Sequence, residues 1–82
     1  MPYIVAERRE ELLHKEGEYP TTAGELNFLI TKIILEFLEA TPTYASYNEV
    51  IGVLECCKLE MYRRAVGPYE DTAIEKNGDV YE

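Results

Sequence analysis

Thr22-Ala23-Gly24-Glu25 leads straight into Leu26-Asn27-Phe28-Leu29-Ile30-Thr31-Lys32-Ile33-Ile34-Leu35-Glu36-Phe37-Leu38-Glu39. The first four residues have the form of a capping box. A Thr hydroxyl accepts a backbone N–H of the first helical turn, and the Glu three residues on reaches back to an N–H at the cap. Leu26, Leu29, Ile30, Ile33 and Phe37 then follow the i, i+3, i+4, i+7 spacing of a helix face. Phe28, Ile34, Leu35 and Leu38 widen that face past half of the circumference. The spacing predicts a helix over 25–39, stopped by Ala40-Thr41-Pro42-Thr43. A single antiparallel neighbour does not cover so wide an apolar sector.

Ser46-Tyr47-Asn48-Glu49 has the same form and predicts a second helix from Ser46 to about Val66. Its stripe is Val50, Val53, Leu54, Cys57, Met61 and Ala65, close to a heptad seam. Ile51, Leu59 and Tyr62 lie on its flanks. Glu49, Glu55, Glu60, Arg63 and Arg64 form the polar face, with Glu60 and Arg64 spaced for an i, i+4 ion pair. Gly52 inside the helix predicts close approach of another helix. Cys57 on the stripe is expected to be buried as a small apolar residue. Gly67-Pro68 reads as the stop.

Outward from this pair, residues 3–16 read as a short, weak N-terminal helix. Ile4, Val5, Leu12 and Leu13 are its apolar contacts, and Gly17 and Pro20 end it. Residues 67–82 read as an acidic tail. Tyr69, Ile74, Val80 and Tyr81 are spaced as anchors, and Asn77-Gly78-Asp79 forms a turn. The expected fold is all-α. It is an antiparallel hairpin of 22–40 with 46–66, with the helical domain spanning 1–66 and the tail of 67–82 docking on it or on a neighbour. The wide apolar sector calls for self-association, most simply a homodimer that completes a four-helix bundle.

The chain has 82 residues and a formal charge of −8. A chain this short buries only roughly 60–65% of its unfolded surface and has a thin stability margin. Seven basic residues face eleven acidic ones in 1–66, and one faces five in 67–82. A field of that sign repels phosphate backbones, which disfavours direct nucleic-acid binding and favours basic protein partners. A bland reading is that the charge keeps a small protein soluble. Two adjacent cysteines, Cys56 and Cys57, form no unstrained disulfide on one helix and no zinc-ligand spacing with the lone His14. Reduced thiols, no apolar leader and no membrane-length apolar run predict a cytosolic protein.

Chemistry-bearing patterns are sparse. Glu36 and Glu39 give an ExxE spacing on one helix face, and Glu55 lies on the next helix. Metal-dependent nucleotide pyrophosphohydrolases of the four-helix type hold Mg²⁺ with such a spacing, followed by ExxD. No aspartate precedes Asp71 here to complete the second half, and a solvated helix face explains the same residues. Neither cysteine has a base beside it in the sequence, and no glycine-rich phosphate loop occurs. No cofactor is expected. Seven of the aromatic residues are tyrosines and two are phenylalanines. The tyrosines lie mostly at element ends, where their apolar rings and polar tips suit an interface or the rim of a core. Tyr62, Tyr69, Glu70, Asp71, Asp79 and Tyr81 are the interaction candidates.

The opening Met1-Pro2-Tyr3-Ile4 with Glu7-Arg8-Arg9, the segment Gly24-Glu25-Leu26-Asn27, the block Asn48 to Cys56, the run Tyr62-Arg63-Arg64 to Pro68-Tyr69-Glu70-Asp71, and Asn77-Gly78-Asp79-Val80-Tyr81 carry a resemblance. Together they resemble a family of small, uncharacterised acidic proteins found in tailed bacteriophages and some bacteria. The resemblance covers nearly the whole chain. It implies a phage or prophage origin and a place in the bacterial cytoplasm, and it implies no activity and no catalytic residues. The function expected on these grounds is that of a non-catalytic accessory protein binding a host or phage protein.

Overall fold

In a computed structural model the described residues are 1–81. They form α1 (Ala6–His14), α2 (Ala23–Ala40), α3 (Tyr44–Met61), a π-helical turn (Tyr62–Val66) and α4 (Gly67–Asn77). No strand occurs among the described residues, so the fold is all-α. The chain divides into two compact units, Met1–Ser46 and Tyr47–Glu82.

In the first unit an extended arm, residues 1–5, leads into α1, and α1 packs on α2. The arm crosses the first turn of α2 at Gly24. A Cβ there would lie 3.0 Å from the Met1 carbonyl oxygen and 3.4 Å from Ile4 Cγ2. Leu12 of α1 is the buried hydrophobic residue, with 8% of its surface exposed. The helix closes with the Lys15 N–H donating to the Glu11 carbonyl, and Gly17 at φ +83° turns the chain back. That φ suits glycine because it has no Cβ to strain.

The clasp holding this unit is Arg8. Its guanidinium donates to Glu18 Oε1, to the Tyr19 carbonyl at 2.9 Å and to Glu25 Oε1 at 3.0 Å. It thereby ties α1 to the connector and to the start of α2. The capping box at Thr22 forms, with Glu25 N–H donating to Thr22 Oγ1 at 3.1 Å. The returning Glu25 carboxylate accepts from the N–H of Thr21 rather than from that of Thr22. Glu25 therefore serves both cap and clasp. Its pKa lies below the usual carboxylate value because Arg8 and then the Thr21 N–H stabilise the anion.

The start of α3 differs from the sequence expectation. Thr43 is the cap, its Oγ1 accepting the Ser46 N–H at 3.2 Å. Ser46 lies inside the first turn, buried, with its hydroxyl bonded to Thr43 Oγ1 at 3.0 Å and to Thr41 Oγ1 at 3.3 Å. Both Thr43 and Ser46 have cap chemistry, and the three-hydroxyl cluster selects Thr43.

The second unit also departs from expectation at Gly67-Pro68, which does not stop the helix. The Gly67 N–H donates to the Tyr62 carbonyl, an i→i−5 bond, and Pro68 falls in the first turn of α4. Proline lacks an N–H and its ring crowds the carbonyl four residues back. The π turn widens the backbone just before it and relieves that crowding. A Cβ on Gly67 would sit 3.3 Å from the Tyr62 carbonyl oxygen, which favours glycine in this turn. Helix α4 continues directly from the π turn, so 67–77 of the expected tail is helical. Gly78, at φ +95°, closes α4 by donating to the Ile74 carbonyl at 2.7 Å. Asp79 Oδ1 accepts the Tyr81 N–H at 2.9 Å, completing the expected turn.

Cys57 is exposed, not buried, and so is Cys56. The stripe that carries Cys57 has no cover within its unit. A Cβ at Gly52 would meet nothing within 4 Å. Among the described residues no helix is long and apolar enough to cross a membrane.

Candidate functional site

The π turn, α4 and the segment behind it line an open, shallow cleft of about 550 Å³ in the second unit. Tyr62 in the π turn lies about two turns before Glu70 along the same continuous helix, and its hydroxyl donates to Glu70 Oε1 at 2.9 Å. This bond to a carboxylate favours the neutral phenol and raises the Tyr62 pKa above its usual 10.0. Glu70 and Asp71 come from the first turns of α4, Ile74 and Asn77 from its later turns. The Gly78 turn brings Asp79, Val80 and Tyr81 to the same cleft.

Of the six interaction candidates, Tyr62, Glu70, Asp71, Asp79 and Tyr81 line this cleft. Tyr69 does not, and is 76% exposed. Three carboxylates and two tyrosine rings, with Ile74 and Val80 among the lining residues, offer acceptors, π faces and apolar surface. Such a surface suits a basic side chain, which gains both charge pairing and cation–π contact.

The other candidates are dispersed. Glu36 and Glu39 lie exposed on α2 in the first unit, and Glu55 lies on α3 paired with Lys58 at 3.1 Å. Among the described residues no three His, Cys, Asp or Glu side chains are grouped to hold a metal ion. His14 pairs with Glu10 on α1 at 3.4 Å. Glu60 meets Arg63 at 3.0 Å and the expected Arg64 at 3.8 Å.

Sequence reasoning missed the Arg8 clasp. The only hint was two acidic residues bracketing the connector, Glu18 and Glu25, and charge at that spacing is common on any surface. It also missed Gly67 and Asn77 in the cleft wall, because their place there follows from the π turn and the uninterrupted α4.

Fold and site together define a small all-helical protein with an acidic, tyrosine-lined cleft. The chain belongs to the family described as Domain of unknown function (DUF6899), which matches residues 1–80. No curated protein and no solved structure matches it.

Proposed function

We propose that this is a small, non-catalytic accessory protein of phage type that binds a host or phage protein in the bacterial cytoplasm. The acidic, tyrosine-rich surface of its second unit is the binding surface. The observation that carries the reading is the gathering of Tyr62, Glu70, Asp71, Asp79 and Tyr81 around one cleft. The charge of −8 supports a partner with a basic patch. One specific form is mimicry of nucleic acid, in which the carboxylates occupy the site of a DNA-binding enzyme. We read the open apolar faces of α2 and α3 as completing an antiparallel helical bundle in a homodimer or higher oligomer.

Affinity capture from a bacterial lysate at low and moderate salt tests the binding reading. The expected result is one stoichiometric partner, lost with the Glu70→Gln, Asp71→Asn, Asp79→Asn variant and weakened by salt. A blank, or capture untouched by the triple variant, overturns it.

A further inference from the structure

We infer that Gly67 and Pro68 are positioning residues of the acidic cleft, because the π turn they hold absorbs one residue of helical register and so sets Tyr62 on the cleft face of α4. This rests on the binding reading above and names what builds its surface. The helix runs without a break from α3 through the π turn into α4. Within α4, Glu70, Ala73, Ile74 and Asn77 follow the spacing of one helix face, and all four line the cleft.

Tyr62 precedes Glu70 by 8 residues. At about 100° per residue, a regular α-helix turns through roughly 800° over that spacing and leaves Tyr62 about 80° off the face. A spacing one residue shorter turns through roughly 700° and comes back to within about 20° of it. The π turn supplies that correction. The Gly67 N–H donates to the Tyr62 carbonyl, an i→i−5 bond, so the turn holds one residue more than an α-helical turn. The Tyr62 hydroxyl accordingly reaches Glu70 Oε1 at 2.9 Å, although both residues are exposed.

Two residues hold the turn. Pro68 has no N–H to give to the Arg64 carbonyl four residues back, and its ring crowds that carbonyl. At Gly67 an added Cβ would lie 3.3 Å from the Tyr62 carbonyl oxygen, so only glycine leaves that bond unstrained. The bond to Glu70 then fixes the Tyr62 side chain before a partner arrives. That lowers the ordering cost for a basic side chain stacking on the ring.

The test shifts the register and then restores it. In Gly67→Ala with Pro68→Ala the missing N–H returns and the ring crowding goes, and both substitutions raise helix propensity, so the chain stays folded. The readout is the late-titrating phenol, taken as the ultraviolet difference between each chain and its Tyr62→Phe counterpart. The expected result is that the double variant keeps its helicity by circular dichroism and loses the late phase, as Tyr62 turns away from Glu70. Deleting Ala65 in the same background makes the pair i, i+7 in a regular helix and restores the late phase. A late phase that survives the double variant, or that fails to return on the deletion, overturns the inference. Affinity capture from a bacterial lysate separates it from the reading beneath it. A partner held by the wild type and the deletion chain but not by the double variant supports both. A partner held equally by all three overturns the role of the turn in binding. A blank for the wild type overturns the binding reading alone, since the titration decides the register by itself.

Discussion

Replacing Gly52 by alanine isolates one term in the stability of α3. Gly52 lies well inside that helix, eight residues after its start and nine before its end. An added Cβ meets nothing within 4 Å, so no packing penalty offsets the gain in helix propensity. That gain is about 0.8–1 kcal/mol per exposed interior position. For a domain of this size, about 1 kcal/mol raises Tm by roughly 4–8 °C. Circular dichroism melts at several protein concentrations are the assay, with sedimentation alongside. Gly24→Ala is the internal control. Its Cβ would press within 3.0 Å of the Met1 carbonyl oxygen, so its gain is offset and its Tm rises less. An unchanged or lower Tm for Gly52→Ala, or a loss of dimer, would refute the reasoning. It would mean that another helix lies against Gly52, where only a hydrogen fits.

Thr43→Ala removes the cap of α3 and lowers stability by about 1 kcal/mol, read as a fall in Tm; a loss from Ser46→Ala with none from Thr43→Ala would reject this assignment. The Glu25 carboxylate has a depressed pKa, so its contribution is present above the unfolded value of 4.5 and is lost as pH falls through the lower folded value. An acid titration followed by circular dichroism therefore falls less steeply below pH 4.5 in Glu25→Gln, and identical acid limbs would count against the clasp. Tyr62 titrates above 10.0, so its contribution is present below that pH and is lost as pH rises through the raised value. Ultraviolet titration of the phenols should show a late-titrating tyrosine that disappears in Tyr62→Phe; persistence of the late phase would place it on another residue.

How much was legible in the sequence depends on the range of the interaction. The Thr22 capping box and the 26/30/33/37 face involve partners three or four residues apart, and the chain alone dictates them. The Asn77-Gly78-Asp79 turn is equally local, because an aspartate two residues before an N–H and a glycine at positive φ suffice for it. At the start of α3 two local solutions competed. Thr43 and Ser46 each have a hydroxyl to offer, and burial of Ser46 against Thr41 decided between them. Gly67-Pro68 misled for a similar reason. Proline forbids a regular α-helical bond, and only the π turn shows how the backbone passes it.

Composition by itself determined that the protein is acidic and rich in tyrosine, and spacing that it is helical. Spacing alone put the carboxylates of residues 70–79 and the flanking tyrosines in a common stretch. Their gathering into a cleft depends on the helix continuing through the π turn and past Pro68, which the Gly67-Pro68 signal did not reveal. The Arg8 clasp is a tertiary event, because Glu18, Tyr19 and Glu25 lie 10 to 17 residues away, beyond the reach of one helical turn. Local hydrogen-bond chemistry is written in neighbouring residues. Packing across a turn is set only when the folded chain has removed both partners from water.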